Sequence, residues 1–266
     1  MNSVAFTTFF CYLQVLALLW SIWQSSHLFR SSRTPVTALL YTFALISLLL
    51  SDLYWIAYIV IRPETRMPFA VNEIGEWAFF LLLAASLASV FRGGIAGAAR
   101  EMVLAALFAA ASAALWIGWS GEWVQDIITG IVCGYFFCII VRALRISDIL
   151  SGKEWAVLGF MSFVLIILQG LTFVLPQGVR RIVDACCYVL MFAGIIAFYA
   201  KTIREWKRQA QPEALFCLCC AIFAWGESCM YMSVEPMYFA AEIAVTAVIP
   251  IMTVSLRKVV VKDDLC

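Results

Sequence analysis

Apolar runs of about twenty residues recur along nearly the whole length of this 266-residue chain, separated only by short polar connections. A helix rises about 1.5 Å per residue, so a run of that length crosses roughly 30 Å of hydrocarbon. Nine such runs can be read, at 4–23, 35–60, 74–91, 102–119, 127–141, 155–175, 182–200, 214–232 and 237–256. Composition removes the soluble alternative. The chain is 64% hydrophobic and 13% charged, against about 25% charged for a soluble domain. Too few polar side chains are present to face water on every side, so the expected fold is an all-α, polytopic transmembrane helical bundle. No polar stretch is long enough for a separate soluble domain, so residues 1–266 are read as one integral membrane domain.

Local signals punctuate the runs. Thr34-Pro35 reads as an N-cap followed by proline at the first helical position, and Gln211-Pro212-Glu213 opens the eighth run in the same way. Pro250 falls inside the ninth run and is expected to kink it. The last two runs are so close together that they should form a tight hairpin. The first six residues, MNSVAF, carry no positive charge, so the first run is expected to remain as a membrane helix.

Charge then orients the bundle. With nine spans, fourteen of the eighteen Lys and Arg fall on one side, and only Arg62, Arg66, Arg180 and Arg181 on the other. The positive-inside rule places the richer side in the cytoplasm, so the N-terminus is expected outside and the C-terminus inside, in the plasma membrane. Acids divide the other way, ten outside and seven inside, which leaves the outer face at net −6 and the inner at +7. Tryptophans 20, 23, 155 and 206 are expected at the inner interface, and Trp116, Trp119 and Trp123 at the outer.

Two acids stand out because they lie late in apolar runs, where an N-terminal helix dipole does not explain them. Asp52 is about eight residues from the outer end of its run, roughly 12 Å deep. Glu227 sits in AWGESCMYM. A carboxylate facing lipid at such depth costs several kcal/mol, so both should turn toward the bundle interior or a water-filled cavity. Ser51, Trp55, Tyr58 and Arg62 form one helical stripe beside Asp52, and the next run opens with Asn72, Glu73 and Glu76. With Glu242 at the start of the ninth run, these residues form the candidate ligand site: Asp52, Trp55, Tyr58, Arg62, Asn72, Glu73, Glu76, Glu227 and Glu242. Acids beside aromatic faces suit a small cationic or amine ligand. MPFAVNEI (67–74) and MYFAAEI (237–243) share a pattern with one gap, as a duplicated hairpin would.

Other features read as structure. Gly130 and Gly134 form a GxxxG, and alanines 105, 106, 109, 110 and 113 give the fourth run a small-residue face, both suited to close packing within the molecule. Most of the ten cysteines lie in apolar runs and should pack as small hydrophobes, Cys217 and Cys220 of the CxxC included. The basic KTIREWKRQ segment (201–209) suits anionic headgroups. Net charge is +1, with no basic field for nucleic acid. One histidine, no P-loop and no HExxH argue against the corresponding enzyme classes, and neither an enzyme activity nor a cofactor is expected. In outline the layout is similar to the multi-span input modules of bacterial signalling proteins, without a catalytic output segment after Leu256. Three roles follow as expectations: a small-ligand sensor or receptor-like module, a transporter of a small solute coupled to protons or cations, or an accessory subunit. Expected partners are the lipid bilayer, the small ligand, and a cytoplasmic or membrane protein.

Overall fold

The computed structural model describes residues 3–31, 34–61, 71–91, 99–120, 122–234 and 236–261. Among them there are nine helices and no strand: α1 (Ser3–Ser31), α2 (Pro35–Ile61), α3 (Val71–Val90), α4 (Ala99–Ser120), α5 (Trp123–Ile146), α6 (Gly152–Leu171), α7 (Gln177–Lys207), α8 (Pro212–Tyr231) and α9 (Met237–Val260). Each coincides with one expected run. Eight of them, α2 to α9, are long and apolar enough to cross a membrane, consistent with a polytopic helical bundle.

Boundaries moved where polar residues continue a helix beyond its apolar core. The short fifth run lengthens to Ile146, with Arg142 and Arg145 in its last turns. α7 continues through Lys201 and Arg204 to Lys207, about 46 Å of helix and more than one bilayer core. α6 stops earlier than expected, at Leu171, where the Thr172 hydroxyl donates back to the Gln169 carbonyl at 2.7 Å. Its start is fixed by a capping box: Glu154 N donates to Ser151 Oγ at 3.3 Å while Ser151 N donates to the Glu154 carboxylate at 2.7 Å. α8 carries Pro212 in its first turn, as Gln211-Pro212 suggests, and α9 runs unbroken through Pro250.

The most extensive packing joins α2 to α3, α8 to α9 and α4 to α5, so neighbouring helices run antiparallel as hairpins. α8 is the central rod. Ala214 to Phe223 are all buried, against the tilted rings of Phe79 and Phe223 at 4.7 Å and Phe80 and Phe136 at 5.5 Å. Cys217, Cys219 and Cys220 lie wholly inside this core, where Cys220 meets Met252 Sδ at 3.8 Å. Several polar side chains in the core are paired across helices: Tyr41 Oη with Thr253 Oγ1 at 2.8 Å, Thr42 donating to Ser25 at 2.9 Å, Trp225 donating to the Met191 carbonyl at 3.0 Å. α6 is the outlying helix, with only Leu165 and Gln169 buried.

Small residues do what their spacing suggests. A Cβ on Gly134 would stand 2.6 Å from Ala109 Cβ, and one on Gly130 would stand 2.9 Å from the Ala109 carbonyl oxygen. The GxxxG of α5 is therefore filled by the alanine face of α4 within the same chain.

A candidate acidic site between two hairpins

Small residues also set the position of the acids. Gly75 of α3 lies against α2, where an added Cβ would meet the Ser47 carbonyl oxygen at 2.9 Å and Ser51 Cβ at 3.0 Å. Gly226 of α8 lies against α9, where an added Cβ would meet Val245 Cγ2 at 2.5 Å and the Ala241 carbonyl oxygen at 3.7 Å. An acid follows four of these contact residues: Ser51-Asp52 faces Gly75-Glu76, and Gly226-Glu227 faces Ala241-Glu242. A right-handed helix turns about 100° per residue. In an antiparallel pair, the residue following the contact position turns to the same side on both helices. Each hairpin therefore offers its two carboxyl groups on one side.

The two pairs meet. Asp52 lies close enough to feel the charges of Glu76 and Glu242, and Glu227 those of Glu76, Asp52 and Glu242. Four helices thus place four carboxyl groups in one region. Glu76 and Glu242 are each five residues into their helices and Glu227 four from the end of its own, roughly 6–8 Å from that end of the bundle, with Asp52 deeper at roughly 13 Å. No ion pair to any of the four exists among the described residues.

Their hydrogen bonding is uneven. Glu76 is well served: the Tyr231 hydroxyl donates to Oε2, Ser51 Oγ donates to Oε1 at 3.4 Å, and the Asn72 side chain adds a further bond. Asp52 has the Gln14 side chain of α1 as a donor beside it, while its Oδ2 is buried without a partner. Gln14 is itself oriented by Thr246, whose hydroxyl donates to Gln14 Oε1 at 3.2 Å. Glu242 is 2% exposed. Its Oε1 accepts only the Cys11 thiol at 3.7 Å, and its Oε2 is buried with no partner. Tyr238 lies within electrostatic reach of Glu242, Glu227 and Glu76.

Of the candidate residues read from the sequence, Asp52, Asn72, Glu76, Glu227 and Glu242 are brought together. Glu73 is half-buried and belongs to a neighbouring acidic group, near Glu76, Glu122 and Asp126, at the start of α3 and α5. Tyr58 stacks on Tyr54 with ring centroids 6.4 Å apart. Trp55 is half-buried and has no hydrogen bond or ring contact with the four acids among the described residues. Arg62 and Arg66 lie outside the described residues, as does the first half of the 67–74 segment compared above with 237–243.

Sequence reasoning missed Gln14, Cys11, Tyr231 and Tyr238. A legible signal for Tyr231 was its position one turn after Glu227, on the same helix face. Gln14 was the one amide in the first run. Trp116, expected as an interface ring, is instead 6% exposed and tilts against Tyr231 at 5.3 Å.

The opposite end of the bundle is different in kind. Glu101, whose side chain is 1% exposed, accepts from Arg145 at 2.5 Å and faces Arg142 at 3.6 Å. Lys201 bridges Glu154 at 2.9 Å and Glu205 at 3.5 Å, Arg208 reaches Glu205 at 3.4 Å, and Lys258 lies 3.9 Å over the Trp206 ring. Two of the bases in the 201–209 segment are thus paired within the protein. No protein-family model, no curated protein and no solved structure matches this chain.

Proposed function

We propose that this protein is a receptor-like module of the cell's boundary membrane, with the acidic end of the bundle facing outward and the four-acid region taking a small cationic ligand. The observation that carries this reading is the convergence of Asp52, Glu76, Glu227 and Glu242 from two hairpins with no base beside them among the described residues. In a medium of low dielectric an ionised carboxyl group attracts strongly a cation that enters with little water, and the cation in turn favours the ionised form of the group. Occupancy would alter how α2–α3 sits against α8–α9, and α8 and α9 run on to the ion-paired end, where the positive-inside rule places the cytoplasm. The position of the acids toward one end, not at the middle of the helices, favours reception over alternating-access transport.

The test has two parts. Purified protein in detergent is heated with small organic cations or with organic anions at matched ionic strength. Cations should raise the midpoint, because a ligand that binds the folded state stabilises it by mass action. The same cations should not accumulate in vesicles carrying the protein. Stabilisation by anions alone would sink the cation site, and uptake against a control would replace reception by transport.

A further inference from the structure

The four acids are not equivalent, and the difference describes the ligand. Glu76 already accepts hydrogen bonds from Tyr231, Ser51 and Asn72. It supplies charge but has little acceptor capacity left. Glu242 and Asp52 each keep one carboxyl oxygen that is buried and accepts nothing, Oε2 and Oδ2. Such atoms have given up water without gaining a donor. Glu242 is the stronger case, since it is 98% buried and its other oxygen has only a thiol at 3.7 Å, and a thiol is a weak donor. Gln14 is held by Thr246 with its carbonyl oxygen turned to that hydroxyl, which leaves its amino group as the donor toward Asp52.

We infer that the ligand is an ammonium ion bearing N–H groups, a primary amine in chemical class, which donates to Glu242 and Asp52 at once; this rests on the reading of the region as a cation site. A quaternary ammonium ion brings the same charge but no donor, and so leaves both oxygens as they are. A metal ion is a poorer match, since no group of three His, Cys, Asp or Glu side chains among the described residues is arranged to hold one. The Tyr238 side chain, within electrostatic reach of Glu242 and Glu227, is a further polar group beside them.

The experiment is a titration of the purified full-length protein with methylammonium, dimethylammonium, trimethylammonium and tetramethylammonium chlorides at constant ionic strength. The series holds charge fixed and removes one N–H at a time. The reading is the concentration giving half of the maximal rise in thermal midpoint. Methylammonium should act at a concentration at least about tenfold below tetramethylammonium, since the loss of even one of the two charge-assisted hydrogen bonds produces an effect of that size. Glu242→Gln and Asp52→Asn should each reduce that preference. An equal or stronger effect of tetramethylammonium overturns the N–H requirement and leaves the cation site standing. No effect from any member of the series overturns both. The wild-type series decides the matter even where a variant fails to accumulate.

Discussion

The two ends of this bundle handle buried acids in opposite ways. At the basic end three acids each have a cation on them: Glu101 between Arg145 and Arg142, Glu154 on Lys201, Glu205 on Lys201 and Arg208. At the acidic end Asp52, Glu76, Glu227 and Glu242 face one another and hydroxyl, amide and thiol groups. Pairing serves stability, because an acid between two arginines is held by charge and geometry together. Grouped like charges work against stability unless something else enters. The contrast separates acids held by a cation from acids that meet none among the described residues.

The largest expected effect tests that division directly. Glu101→Gln should lower the thermal midpoint more than any other substitution considered, because it leaves Arg145 and Arg142 without the acid between them. Asp52→Asn should leave the midpoint unchanged or raise it, while weakening the methylammonium response. Thermal denaturation with and without methylammonium measures both. A fall with Asp52→Asn comparable to that with Glu101→Gln would erase the contrast and make the four-acid region a structural network.

Glycine substitutions come next, and they sharpen where the site begins. Gly134→Ala forces a Cβ against Ala109, and Gly75→Ala forces one against Ser47 and Ser51. Overpacking of this kind costs about 1–3 kcal/mol, or a fall of about 2–4 °C per kcal/mol in a chain of roughly this size. Both should be destabilising to a similar degree. Only Gly75→Ala should also weaken the ammonium response, because it pushes Ser51-Asp52 away from Gly75-Glu76. Equal responses from the two variants would show that the α2–α3 contact does not set the acid geometry. Ser151→Ala, at the basic end, removes the capping box of α6 and should cost about 1 kcal/mol with no change in the ammonium response.

Much of the helical layout was readable in advance because each element announces itself locally. Twenty apolar residues bounded by Thr34-Pro35 or Gln211-Pro212 need no long-range information to be recognised. The candidate site was readable only in part. Asp52 and Glu227 betrayed themselves by depth, but their grouping depends on contacts between residues 25 to more than 200 apart in sequence, which helix packing decides. Trp55 and Tyr58 were chosen by periodicity alone, which puts them on the face of Ser51 but does not say what packs there; Tyr58 stacks on Tyr54. The pattern that does predict the grouping is a small residue just before each acid: Ser51-Asp52, Gly75-Glu76, Gly226-Glu227 and Ala241-Glu242. It becomes informative once antiparallel packing is recognised, since only then do both acids of a hairpin turn to one side.

The smallest effect on stability probes whether the two ends communicate. α9 carries Glu242 near one end and Lys258 near the other, sixteen residues or roughly 24 Å apart. Lys258 sits over the Trp206 ring of α7 at 3.9 Å. Lys258→Met removes that cation–π contact and should cost only about 0.5–1 kcal/mol in stability. For a receptor, however, the contact at the basic end and the ligand at the acidic end bias the same arrangement of α9. Linkage then requires that each alter the other's free energy by the same amount. Lys258→Met should therefore shift the half-maximal methylammonium concentration, by about fivefold if the coupling is at the lower end of the usual range. An unchanged concentration would mean that α9 does not relay occupancy. The acidic end would then be a binding site without the transmission that reception needs, and α7 and α9 would be joined at the basic end for stability alone.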